Sequence, residues 1–396
     1  MSMLDGWDGW DGWDGWDGWR GDISRQAGQG GGSVLGLLRS REAIVGPFPN
    51  GNVPKPWLPR SSGKLPKVHD LDALACWSPA IRQRIILGEL LGAVKFVAIR
   101  TSKDSLELQA QSGGCISRIE RPSVKVFNHQ SSLVEAWAVH RAERAPEIES
   151  QLQLNLAYWG AIVPLDQRNT PYTIELLGLA VAFASHVVQR FKHELNCPRP
   201  RQYSPRIQPM LSDPPYSTMP SGHATESFML AKLLEALLTP LSTTGADGQR
   251  TEWVTRAMAQ MNDLAQRIAT NRVVAGIHFP IDNAAGCALG RSLAEFISYC
   301  GNSTLWTARV FEVRGKLETA YNYEFDHRAT TFVRALPESA NEKSEAIKAT
   351  PASDLDLVGW LWGKAWSEWH PSPAARARGT IAAADKPESP ATARPS

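Results

Sequence analysis

Pro171-Tyr-Thr-Ile-Glu-Leu-Leu-Gly-Leu-Ala-Val-Ala-Phe-Ala-Ser-His-Val-Val-Gln-Arg-Phe-Lys-His-Glu-Leu-Asn-Cys-Pro-Arg-Pro200 is the stretch on which the fold turns. Proline opens it, where a missing N–H costs a helix nothing. The run that follows is apolar and far longer than a strand, so it reads as a long core helix. Pro198 disfavours the α conformation at Cys197, so the helix should stop near Asn196. Working outward, Ser221–Leu238, Glu252–Ala275, Pro280–Ser298 and Ser303–Tyr321 read as further helices. Gly276 sits where a C-terminal capping glycine belongs. Upstream, Pro79 to about Ile99 carries a wide apolar stripe. Ser132–Ala145 and Pro146 to about Gly160 read as consecutive helices, with Pro146 in a first turn. Leu106, Leu108, Val124 and Val126 alternate with polar neighbours, which points to a short β-hairpin within 101–128. Strands do not alternate with helices, so a nucleotide-binding α/β sheet or an α/β barrel is disfavoured. The fold class expected is all-α, a helical bundle.

The composition narrows the function classes. The chain has 396 residues, 43% hydrophobic and 21% charged, which is ordinary for a protein with a real core. Five of its 40 acidic residues lie in five copies of Asp-Gly-Trp at 5–19, leaving 35 against 42 basic ones. That mild positive balance suits an anionic substrate and falls short of a nucleic-acid-binding profile. The apolar runs are interrupted by charges such as Glu89, Glu175, Lys232 and Asp282, so no membrane span is expected. The N-terminus lacks a basic-then-apolar signal pattern, and the five cysteines are odd in number and widely spaced. A cytoplasmic protein without a disulfide framework or zinc site is the expectation.

Along the chain, 1–68 reads as a low-complexity disordered arm and linker. Residues 69–170 read as an N-terminal helical part, and 171–325 as the bundle that carries the chemistry. A helical extension at 326–370 and a disordered Ala/Pro/Ser-rich tail at 371–396 complete the chain. Trp362, Trp366 and Trp369 share one helix face and read as core or subunit packing rather than a binding box. A homo-oligomer is left open.

Three segments carry chemistry together. Lys192 and Arg199 sit at the stiffened exit of the long helix, where they can converge on one anion. Ser221, Gly222 and His223 open the next helix, whose first turn offers free N–H groups and the positive end of the dipole. Gly222 lets backbone approach a ligand, Ser221 adds a hydroxyl, and His223 can move a proton at the edge of the anion. Arg272 ends the third helix. His278 precedes Pro280, and Asp282 lies four residues on, placed to accept Nδ1–H and leave Nε2 free as a nucleophile or metal ligand. Each motif alone has a bland reading: a capped helix start, solvated charges at a helix end, a His–Asp capping pair. Their joint occurrence in order is what argues for a site.

The succession Lys192-x6-Arg199-Pro200, Pro220-Ser-Gly-His223 and Arg272-x5-His278-x3-Asp282 resembles the type 2 phosphatidic acid phosphatase and vanadium haloperoxidase superfamily. The third motif of that family usually opens Ser-Arg, and here Asn271 stands in place of the serine. The resemblance implies a helical bundle of the vanadium haloperoxidase and acid phosphatase type. It implies that Lys192, Arg199, Ser221, Gly222 and Arg272 hold a vanadate or phosphate oxyanion. It makes His278 the attacking nucleophile or the vanadium ligand, Asp282 its orienter and His223 the general acid–base. The first expectation is a soluble haloperoxidase-like enzyme that holds vanadate as cofactor and uses hydrogen peroxide to oxidise halide. The alternative is a phosphatase needing no cofactor, which hydrolyses phosphate esters through a phosphohistidine. The third is a non-catalytic helical interaction protein. The small-molecule partners are hydrogen peroxide and halide, or a phosphate ester, and no nucleic acid is expected.

Overall fold

The computed structural model describes residues 68–100, 104–152, 156–243, 248–302, 306–313, 323–328, 332–336 and 355–370. The expected disordered arm and linker lie outside the described residues except for residue 68, and the expected tail lies wholly outside them. The chain divides into two units, Met1–Cys76 and Trp77–Ser396. The described part of the first is a turn leading into a 3-10 helix, Leu71–Cys76. The second contains, among the described residues, ten α-helices and five strands. In chain order these are α1 (Pro79–Gly92), β1 (Val94–Arg100), β2 (Asp104–Ala110), β3 (Cys115–Glu120), α2 (Val124–Trp137), α3 (Arg141–Ser150), α4 (Ala157–Gly160), α5 (Pro171–Leu195), α6 (Pro200–Tyr203), α7 (Gly222–Thr243), α8 (Gly248–Val274), α9 (Pro280–Asn302), β4 (Ala308–Phe311), β5 (Val333–Leu336) and α10 (Asp356–Trp369).

The protein is mostly helical, and the bundle of α5, α7, α8 and α9 is its core. α5 ends as its sequence dictates. Asn196 takes a left-handed φ of 44° and its N–H returns to the Lys192 carbonyl at 3.1 Å. Gly276 closes α8 with a φ of 81°, a conformation open to glycine and costly for others. α9 packs directly on α7 because it presents glycine there. A Cβ on Gly286 would fall 2.7 Å from the Ser221 carbonyl oxygen, and one on Gly290 would strike Thr225. The helix carrying Asp282 is thereby pressed onto the turn carrying His223.

Glu175 interrupts the apolar run of α5, and the reason lies across the core. Its carboxylate takes two hydrogen bonds from Arg82 of α1, at 2.9 Å from Nε and 2.6 Å from Nη2. Both side chains are buried, and the guanidinium also lies over Tyr172 and Trp360. By length and composition the stretch Pro171–Tyr203 could cross a membrane, and it is the one such helix among the described residues. In this structure 72% of its apolar window is covered by protein.

α10 is fastened by carboxylates at both ends. Glu89 of α1 accepts the N–H groups of Leu357 and Val358 at 3.3 and 2.8 Å, capping the start of α10. Glu368 of α10 accepts those of Tyr172 and Thr173 at 2.7 and 2.8 Å, capping the start of α5. Trp360, Trp362 and Trp369 are buried as core residues and Trp366 is half-buried.

The sheet is larger than a hairpin and begins earlier. Its order is β1-β2-β3-β4-β5, antiparallel except for the parallel β3–β4 pair. The helix read to Ile99 stops at Gly92, and Val94, Phe96, Val97 and Ile99 enter a strand whose β-branched and aromatic residues favour that state. Val124 and Val126 belong to α2, which starts after the extended Ser123 and so ends the hairpin reading at Glu120. Pro146 lies inside α3 rather than at a helix start, and costs that helix the bond to the Ala142 carbonyl. The helix read over 303–321 is replaced by β4 at 308–311, while 303–305 and 314–321 lie outside the described residues.

Candidate active site

His278 is the centre of the first half of the site. It is 4% exposed, in the turn that Gly276 makes between α8 and α9. Its Nδ1 lies 3.1 Å from Asp282 Oδ2 and 3.2 Å from Thr218 Oγ1. Thr218 itself donates to the same carboxylate oxygen at 2.6 Å, as does the Phe279 N–H at 2.8 Å. The carboxylate therefore accepts the Nδ1–H hydrogen bond, and Nε2 keeps its lone pair. Arg199 Nη1 lies 3.4 Å from that Nε2. Burial, then the charges of Arg199 and Lys192, hold the His278 imidazole well below its ordinary pKa, so it is neutral. Burial pushes Asp282 up to about 6, against the pull of Thr218, the Phe279 amide and Lys192.

The cations at the exit of α5 are fixed by backbone carbonyls. Lys192, 3% exposed, donates to the carbonyls of Ser217 and Thr218, each at 2.9 Å. Arg199 donates to the carbonyls of Tyr216 at 2.9 Å and Ile277 at 2.8 Å. The Tyr216 ring lies under both, 5.3 Å from Lys192 Nζ and 5.2 Å from the Arg199 guanidinium carbon. Burial and the neighbouring Arg199 charge bring the Lys192 ammonium well below its ordinary pKa.

Arg272 and His223 form the second half. Arg272 is wholly buried and its pKa is lowered to about 10 by burial. Nη2 donates to the Ile148 carbonyl at 3.1 Å and to Gln151 Oε1 at 3.3 Å. Among the described residues, Nε and Nη1 have no hydrogen-bond partner. A buried guanidinium with two bare donors is costly unless an anion completes it. His223, in the first turn of α7, has Nε2 at 3.0 Å from the Gln151 carbonyl. A carbonyl only accepts, so Nε2 carries the hydrogen and Nδ1 is left to take and give a proton. Burial, then the Arg272 charge, bring His223 down to about 3. Ser221 Oγ accepts the Ala224 N–H at 3.4 Å as a helix cap, and the Ser221 N–H is held by the Asp282 carbonyl at 3.1 Å. Gly222 and His223 open the helix, so their N–H groups have no acceptor within it.

The two halves meet electrically. His278 feels Arg199, Lys192, His223 and Arg272, and His223 feels Arg272 and Lys192. Every residue expected from the motifs is thus gathered in one neighbourhood. The arrangement can hold a tetrahedral oxyanion against a neutral imidazole nitrogen, with a second imidazole beside it.

Several neighbours had no motif to announce them. Thr218 and Tyr216 lie on the irregular segment before Pro220. Gln151 comes from the end of α3, and Glu226 lies one turn after His223 on α7. Glu226 carries a signal in hindsight, since His223 and Glu226 are three apart and share a helix face. Burial pushes its carboxyl up to about 8, opposed by the Lys192 charge.

No curated protein matches the chain. The family model of the PAP2 superfamily matches residues 174–306, the segment that carries all three motifs and hence Lys192, Arg199, His223, Arg272, His278 and Asp282. This helical segment is a member of the type 2 phosphatidic acid phosphatase superfamily.

Proposed function

We propose that the protein is a phosphohydrolase that works through a phosphohistidine on His278. The observation that carries this reading is the buried Arg272 guanidinium with Nε and Nη1 unpartnered, beside two neutral imidazoles. The PAP2 superfamily match supports an enzyme of the phosphatase or haloperoxidase type, and our reading takes a phosphate ester as its substrate.

In this reading Lys192, Arg199, Arg272 and the first-turn amides of α7 hold the non-bridging oxygens and spread the charge of the five-coordinate transition state. His278 Nε2 forms the N–P bond as the P–O bond to the leaving group breaks. Asp282 and Thr218 keep Nδ1 hydrogen-bonded and stabilise the positive ring that results. His223 gives the leaving oxygen a proton from Nδ1. The His223 pKa of about 3 reflects burial first and then the Arg272 charge, and a bound dianion raises it toward protonation. Water then gives a proton back to His223 and attacks phosphorus, the P–N bond breaks, and phosphate leaves.

A second reading is favoured by Ser221-Gly222-His223-Ala224-Thr225 and by the length of folded chain before Lys192. A site that stabilises five-coordinate phosphorus suits vanadate, and the bare donors of Arg272 with the lone pair on His278 Nε2 fit it. His278 would hold the vanadium and the three cations its oxygens. When bound, vanadate would supply Lewis-acid activation of hydrogen peroxide toward halide.

One assay separates the two. Hydrolysis of 4-nitrophenyl phosphate in chelator-treated buffer, inhibited by vanadate and reduced at least about a hundredfold in His278→Ala, is the expected result. No hydrolysis, together with dye bromination that needs vanadate, peroxide and bromide, would replace the first reading by the second.

A further inference from the structure

Asn271 departs from the serine of the family motif, and its surroundings give the departure a purpose. It is wholly buried. Its Nδ2 donates to Gln151 Oε1 at 2.9 Å and to Glu147 Oε1 at 2.8 Å. The same Gln151 oxygen accepts Arg272 Nη2 at 3.3 Å, and Gln151 Nε2 donates to Glu147 Oε1 at 3.0 Å. Arg267, one turn before Asn271, closes the network onto the Glu147 carboxylate at 2.7 Å. Glu147, Ile148 and Gln151 fall on one face of α3 and its C-terminal residue, and Arg267 and Asn271 on the facing side of α8. A serine has one hydroxyl hydrogen and cannot donate to Glu147 and Gln151 together.

The side chains of this network touch the proposed reaction centre through Arg272. Pinned at Nη2 by Gln151 and the Ile148 carbonyl, the guanidinium plane cannot swing, and Nε and Nη1 stay bare. We propose that Gln151 and Asn271 are a positioning pair that fixes Arg272 for its oxyanion, which rests on the oxyanion-pocket reading above. The pair accounts for the departed motif: the serine is replaced by a longer donor, and Gln151 supplies the acceptor that serves both it and Arg272. The Gln151 backbone carbonyl, which engages His223, is untouched by changes to its side chain. The pair therefore acts on anion affinity through Arg272 and leaves the His223 contact in place.

The test is a double-mutant cycle read by titration calorimetry with orthovanadate on the full chain. Gln151→Leu and Asn271→Ser should each weaken vanadate binding about tenfold, with circular dichroism unchanged. In an Arg272→Ala background, itself weaker, neither change should weaken binding further. A packing role alone would lower affinity by the same factor with or without Arg272, and that result overturns the proposal. Wild-type affinity in both single variants also overturns it. Should Gln151→Leu fail to fold, the Asn271→Ser and Asn271→Ser/Arg272→Ala proteins complete the same cycle. Absence of vanadate binding by the wild-type protein would refute the pocket itself and the pair with it, a different outcome from binding that ignores Gln151.

Discussion

Among single residues, the most unusual are buried charges whose compensation is incomplete. Among the described residues, Arg272 lacks partners at two nitrogens, and Asp282 Oδ1 lacks one as well. Glu226 is the opposite case, a carboxyl one turn after His223, kept neutral by burial. Its pKa is raised from an ordinary 4.5 to about 8, with Lys192 pulling the other way. The unfolded chain gives up this proton near 4.5 while the folded state keeps it until about 8. The unfolded state is thus progressively favoured as pH rises through that window, and the folded protein loses stability across it. Glu226→Gln, which mimics the neutral acid, removes that loss. Its melting temperature should match the wild type near pH 5 and exceed it near pH 8. Groups that do not feel the Glu226 charge cancel in the difference; Lys192 and Tyr216 do feel it. Parallel melting curves from pH 5 to 8 would show that Glu226 ionises normally.

At the scale of elements, the fold depends on a few close approaches and reciprocal caps. Gly286 and Gly290 set the α7–α9 contact, which places Asp282 against the Ser221 turn. Glu368 binds the start of α5 from the far end of the chain, and Lys192 and Arg199 lie at the other end of that helix and just beyond it. Glu368→Gln keeps shape but weakens the charge–dipole attraction and turns one oxygen into a donor facing donors. A loss of about 1 kcal/mol is expected, read as a lower melting temperature and faster amide exchange in α10. Unchanged exchange in α10 would mean that its tryptophans, not the carboxylate, hold it. The element boundaries were legible where local chemistry and packing agree. Pro171, Asn196 and Gly276 mark helix ends by steric rules that context does not override. Val94–Arg100 was hidden because a stripe of Val, Phe and Ile following a helical face carries no local sign that the period changes. Pro146 misled for a related reason, since a proline suits a first turn but tertiary bonds from Glu147 and Gln151 hold α3 through it.

For the whole molecule, the site is a convergence of separate chain segments. Its charged and ring groups were legible because a helix exit, a helix mouth and a His–Asp turn each carry distinct residue types at fixed spacing. Gln151, Thr218 and Tyr216 were not, because their roles come from where the bundle brings α3 and the loop before Pro220. The tertiary fold also decides that three cations are buried in one neighbourhood, at a desolvation cost visible in the lowered pKa values of Lys192, Arg199 and Arg272, to which the Arg199 charge adds at Lys192. Among the described residues no group bonds Arg272 Nε or Nη1, and in the reading proposed above an anion completes them. The direct measurement is calorimetric titration of the wild-type, Arg199→Ala and Arg272→Ala proteins with inorganic phosphate. Saturable one-to-one binding, weakened about ten- to a hundredfold by each substitution, is the predicted result. Binding that is absent, or that is equally strong in all three proteins, would contradict the oxyanion site.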